Sequence, residues 1–101
     1  MNFRNKKLTQ SAKGLECQLR ISGVCNRNPE TTVWCHSNQA IHGKGMGIKA
    51  HDCFGAFGCS ACHREIDQGT RLSRDEKIEY MDYARDRTLL LLWQQKLIGV
   101  K

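Results

Sequence analysis

The sequence contains no long apolar run. Its longest, Leu89-Leu90-Leu91-Leu92-Trp93, has five residues, against roughly 20 for a membrane-spanning helix. No apolar segment follows Met1-Asn2-Phe3-Arg4-Asn5-Lys6-Lys7, so no secretory leader is expected. A chain with neither feature is expected in the cytoplasm, where thiols stay reduced and paired cysteines serve metals rather than disulfides. Acidic residues are scarce in the first half. Residues 1–50 hold eight Lys/Arg against only Glu16 and Glu30, whereas residues 51–101 hold eight of each sign. The whole +6 charge therefore lies in one half, and such segregation favours a polyanion as partner. Internal repeats and domain boundaries are also missing, so one domain over 1–101 is expected, with 1–14 as a basic arm.

The chain does have six cysteines, and four of them form two pairs: Cys17 with Cys25, and Cys59 with Cys62. Cys-x2-Cys with a second pair available has the spacing of a tetrahedral metal site. Four thiolates at Cys17, Cys25, Cys59 and Cys62 would close a structural zinc site that compensates for a thin core. The bland alternative is four buried free thiols. Cys35 and Cys53 have no near partner and read as small core residues. His63 follows Cys62 directly and is free to serve a second centre.

Local patterning predicts short strands at Cys17–Ile21, Thr31–Cys35 and Asp52–Phe57. A turn at Ser22-Gly23 would return the chain to Cys25 and bring its sulfur near that of Cys17. Residues 37–50 hold three glycines and two lysines and read as a long loop. Ser60 to Gln68 reads as a helix stopped by Gly69. Ser73-Arg74-Asp75-Glu76 is a capping box that opens a helix running to about residue 95. Ile78, Met81, Ala84 and Thr88 form that helix's core stripe.

Five polar residues suggest chemistry. His36 sits at a strand end, where a neutral imidazole can take a proton from water. His63, in the first turn of a helix, could join Asp52 to hold a divalent cation such as Mg²⁺. Asn38 could orient His36 or touch phosphate. Asp67 shares a helix face with His63 at i, i+4 and could orient its ring. His42 and His51 read as loop residues, either of which could reach the cation. The segment His42-Gly43-Lys44-Gly45-Met46-Gly47-Ile48-Lys49 is not a P-loop, since no Ser or Thr follows Lys44. It is either a mobile solvated loop or a clamp whose Lys44 and Lys49 neutralise phosphates.

A strand ending in histidine, a loop, a further strand and Cys-x2-Cys-His opening a helix resemble the ββα-metal, or HNH, nucleases with an added zinc knuckle. Over about residues 11–70 the chain is more closely similar to the small prophage-encoded nuclease family typified by YbcO. That similarity rests on Glu16 to Ile21, Gly23 to Asn26, Asn28 to Thr31, and Cys59 to His63 continuing through Glu65-Ile66-Asp67. The resemblance implies an α+β fold in which a ββα-metal core, stapled by four cysteines, precedes a C-terminal helix. It also implies metal-dependent cleavage of DNA in a bacterial host, in phage replication or recombination, with weak sequence preference. His36 matches the general base and His63 a ligand of the catalytic cation. Asp52 stands nearest the family's middle asparagine, and Cys35 occupies a position where Asp or His is common. Two rival readings remain: a non-catalytic zinc module that binds nucleic acid, and an adaptor acting on a recombination factor.

Overall fold

The computed structural model describes residues 2–101. It is a small α+β arrangement built around a two-stranded antiparallel sheet. Strand β1 (Val33–His36) pairs with β2 (Gly55–Gly58), in a register that sets His36 opposite Gly55 and Val33 opposite Gly58. Helix α2 (Ser60–Gln68) follows β2 almost at once, and α3 (Arg74–Gln94) then packs along β2. A short helix α1 (Lys6–Gln10) lies near β1.

The two strands pack closely. Every residue of β2 is buried. A Cβ on Gly55 would fall 2.4 Å from the Trp34 indole nitrogen and 2.8 Å from the Cys35 carbonyl oxygen. Only glycine lets the two strands close at this point. Hydrophobic burial falls into two clusters. One gathers Leu19, Ile21, Cys35, Ala56, Ile66, Met81 and Ala84 around the cysteines. The other joins Ala12, Trp34, Phe57 and Leu92, with Trp34 edge-on to Phe57 at 5.8 Å between centroids.

The two later helices match their sequence signals. Helix α2 spans Ser60–Gln68 and stops at Gly69, where a Cβ would strike the Glu65 carboxylate at 2.2 Å. That buried carboxylate accepts the Arg71 and Leu72 amides at 3.1 and 3.2 Å and so folds the α2–α3 link back on itself. At the start of α3, Ser73 and Glu76 exchange both bonds of a capping box. The α3 stripe turns Met81, Ala84 and Thr88 inward, while Ile78 is half-buried. Thr88 Oγ1 accepts the Phe57 amide at 3.1 Å and satisfies a donor that the two-stranded sheet leaves open.

Four expectations need correction. Cys17–Ile21 is not a strand, because no partner strand exists for it. Its backbone curls instead through a turn in which the Val24 and Cys25 amides donate to the Ile21 carbonyl. The third strand begins at Gly55 rather than Asp52, and Asp52-Cys53-Phe54 is a turn that leaves Cys53 exposed rather than in the core. The 37–50 loop contains a short 3₁₀ turn at Ala40–His42 and a bridge between Gly45 and Ile48. Residues 2–14 are not a loose arm. The Phe3 amide donates to His51 Nδ1 at 2.8 Å, the Asn5 amide donates to Asp52 at 2.6 Å, and Ala12 is buried.

Candidate metal centre and polar cleft

The four cysteines meet as the spacing predicted. The sulfurs of Cys17, Cys25, Cys59 and Cys62 lie within 4.8 Å of one another, and all but Cys25 are buried. The Cys59–Cys25 separation of 3.9 Å is close to the edge of a zinc–thiolate tetrahedron, about 3.8 Å for bonds of about 2.3 Å. The backbone prepares the sulfurs as acceptors: the Arg20 amide points to Cys17 Sγ at 3.5 Å and the Cys62 amide to Cys59 Sγ at 3.4 Å. Arg20 and Arg27 adopt left-handed φ of 49° and 56°, uncommon for residues with a Cβ. The curl that aims the Arg20 amide at sulfur is therefore strained without a reward at the thiolates.

The protonation of the cluster leads to the same conclusion. Donation from Cys62 pulls the Cys17 thiol down to about 4 despite burial. The same contact, with burial, pushes Cys62 far up. Four crowded sulfurs cannot all carry charge unless a cation sits among them. The donor set fits zinc in number, softness and spacing. Cys35, also buried, stays a neutral thiol because burial raises it.

A second, more open group lies where β1 ends. His36 Nε2 meets Asp52 Oδ1 at 2.7 Å. Asp52 also accepts the Asn5 amide at 2.6 Å and the Arg4 guanidinium at 3.3 Å. Burial alone would raise Asp52, but hydrogen bonds from His36 and Asn5 and the charges of His36 and Arg4 carry it below the ordinary carboxylate range. Asp52 faces Nε2 of His36, so a neutral ring donating to it would present Nδ1 as the lone-pair nitrogen.

On α2, His63 Nε2 meets Asp67 Oδ2 at 2.9 Å, and Asn38 Nδ2 donates to Asp67 Oδ1 at 2.9 Å. The bond to Asp67 raises His63 against the effect of burial and of Lys49. Burial would raise Asp67, but bonds from His63 and Asn38, with the field of Lys44, lower it overall. Two chains of contact run between the two histidine–carboxylate pairs. Asn38 lies two residues past His36, about 7 Å along an extended chain, and holds the partner of His63. Lys49 acts electrostatically on His63, and its carbonyl accepts from Arg4, the residue bonded to Asp52.

These pairings differ from the expected placement of Asp52 beside His63. The structure sets Asp52 against His36 and Asp67 against His63, because the turn at 52–54 directs the carboxylate toward residues 4 and 5. Among the described residues, no group of three or more ligating side chains converges except the four cysteines. His63 and Asp67 therefore supply two ligand atoms at most. That is a sparse set, though compatible with a cation such as Mg²⁺ that keeps waters and takes substrate oxygens. His42 and His51 are structural: His42 stacks on Phe54 at 4.5 Å and bonds Ser37, and His51 pins the Phe3 amide. Sequence reasoning missed Arg4, which bonds the Ala50 and Lys49 carbonyls as well as Asp52. A lone arginine in a basic segment carries no signal of a contact so distant in the chain.

The chain belongs to the family described as "Putative nuclease YbcO", whose model matches residues 6–96. Relatives of that name from Escherichia coli K12 and Enterobacteria phage 82 are each 50% identical over 64 residues, covering 62% of this chain. The chain spans 65% of the length of those relatives. A solved structure titled a putative bacteriophage protein from Escherichia coli K-12 shares 36% identity, with a TM-score of 0.69 over 87% of this chain and 98% of that one. No helix is long and apolar enough to cross a membrane among the described residues.

Proposed function

We propose that the protein is a phage- or prophage-type endonuclease of the HNH class that hydrolyses DNA phosphodiester bonds with a divalent cation. The observation that carries this reading is the Asn38–Asp67 hydrogen bond, which links the strand end bearing His36 to the helix turn bearing His63. Phosphodiester hydrolysis needs a base for water and a means of stabilising charge on phosphate and leaving oxygen. His36, oriented by Asp52, would take the proton of the attacking water on its other ring nitrogen. Asp52 thus orients the base rather than holding the cation. His63, steadied by Asp67, would hold a divalent ion, with Asn38 fixing that carboxylate. Such an ion, when bound, supplies Lewis-acid stabilisation of the crowded phosphate charge. Lys44 acts on Asp67 and Lys49 on His63, and both would neutralise backbone phosphates.

The zinc site, on this reading, is structural. It ties the 17–25 curl to the start of α2 and so fixes where His63 points. The test is nicking of plasmid and branched DNA with Mg²⁺ or Mn²⁺, comparing the wild type with His36→Ala and His63→Ala. Loss of nicking in both variants is expected, and cleavage that survives both removes the mechanism.

One observation favours the rival reading, a zinc module that binds nucleic acid without cutting it. The Arg4 guanidinium already occupies the carboxylate that was expected to hold the cation. Tight binding with no cleavage across metals and substrates would select that rival.

A further inference from the structure

Between α2 and the first turns of α3 lies a groove of about 420 Å³, within the range of about 300–1,000 Å³ typical of small-molecule sites. Its floor is apolar: Ile66 and Met81 are buried and Ile78 half-buried. Its rim carries Lys44, Arg74 and Lys77. The one carboxylate on the wall, Asp67, is committed to His63 and Asn38. Asn38 and Gln39 also face the groove. Each gives an amide hydrogen to an aspartate, Asp67 and Asp82, which leaves each amide oxygen as an acceptor.

An apolar floor ringed by three cations matches a ligand with a flat apolar face and anionic flanks. A nucleotide has that form, but only when unpaired. In duplex DNA both faces of each base are covered by neighbours, and only the sugar-phosphate edge and groove edges are presented. We propose that this groove seats one unpaired nucleotide of a single-stranded segment, its base on Ile66, Ile78 and Met81 and its flanking phosphates on Lys44, Arg74 and Lys77. The inference rests on the nuclease reading and narrows its substrate. The groove shares Asp67 with the His63 pair, so a seated base would place a neighbouring phosphate at that pair. The preferred DNA is then single-stranded or branched with an unpaired residue, not an intact duplex.

The test uses the full chain with its zinc, in buffer without added Mg²⁺ or Mn²⁺, so that binding is read apart from cleavage. Fluorescence anisotropy compares a labelled oligothymidylate, an abasic sugar-phosphate strand of equal length and charge, and a blunt duplex. Oligothymidylate should bind on the order of tenfold more tightly than the abasic strand, near the low end of what aromatic platforms give per base, because this floor is aliphatic. Ile78→Gln should bring that ratio toward one without weakening the abasic strand. Arg74→Ala should weaken both strands alike and flatten the salt dependence. Equal affinity of the wild type for thymidylate and abasic strands, or a ratio unmoved by Ile78→Gln, overturns the proposal. Plasmid nicking that persists alongside equal affinities would discard the groove and keep the nuclease. Absence of both binding and nicking would discard both.

Discussion

The cysteine cluster and the His63–Asp67 pair share the same short helix, with Cys62 and His63 adjacent in its first turn, yet they are built on opposite terms. The cluster is closed: four ligands, three of them buried, with amides aimed at the sulfurs. The histidine pairs are more open: each imidazole has one carboxylate partner, and His63 and Asp67 are 38% and 37% exposed, although Asp52 is buried against His36. A complete ligand set in a dry site gives stability and leaves no room for chemistry. An incomplete set at a surface gives little stability and leaves coordination positions for substrate and water. The difference teaches where each perturbation should register, in folding for the cluster and in rate for the cleft.

The strongest way to break the comparison is Cys59→Ser. Structural zinc in small modules contributes about 10–16 kcal/mol of apparent binding energy at neutral pH. The variant should lose its thermal transition by circular dichroism and fail to retain zinc by elemental analysis. A cooperative melt near that of the wild type would show that the cluster is not what holds the fold.

Next in size is His36→Ala, which should cost about 10²–10⁴-fold in nicking rate while leaving the melt unchanged. His63→Ala should behave likewise. If either variant melted as Cys59→Ser does, the cleft would be structural too and the contrast would disappear.

Arg4→Ala should have an intermediate effect that sharpens the picture. It removes bonds to two carbonyls and to Asp52, worth about 1 kcal/mol net for a partly exposed group. Its effect on nicking distinguishes two roles for the arginine. A severalfold fall means that it steadies the Asp52–His36 pair, and a rise means that it competes with the cation.

The smallest effect concerns protonation. The Asp67 hydrogen bond raises His63, so the charged pair contributes fully below the unfolded histidine value of about 6.5. That contribution is lost as pH climbs through the raised folded value. The NMR titration of the His63 ring should have its midpoint above 6.5, and Asp67→Asn should lower it. Cation affinity at His63 should strengthen as pH passes that midpoint, because only the neutral ring ligates. A midpoint unmoved by Asp67→Asn would remove the carboxylate from any role in holding that ring.

What could be read from the sequence divides along a physical line. Helices α2 and α3 are specified by local chemistry, through Gly69 at one end and Ser73 with Glu76 at the other, and both form where that chemistry placed them. The cysteine cluster was legible because Cys-x2-Cys carries its own geometry. The 17–25 segment was not, since alternating residues predict a strand only where another strand is available. Here the sulfurs shape the backbone instead, through Arg20 and Arg27 in left-handed conformations. The arm was misread for a related reason. Arg4 and Asn5 reach Asp52 across more than forty residues of chain, and no local pattern encodes that. The same contact assigns Asp52 to His36, so the pairing within the cleft lay outside what spacing could resolve.

Cys59 joins three structures at one residue. It ends the run of β2, its sulfur caps α2 by accepting the Cys62 amide, and its carbonyl accepts the His63 amide at 2.9 Å. Its thiolate is also one of the four that would grip the ion. Withdrawing the ion therefore loosens the very turn from which the imidazole projects. On the nuclease reading, zinc-starved chains should lose nicking together with the thermal transition, as expected of Cys59→Ser.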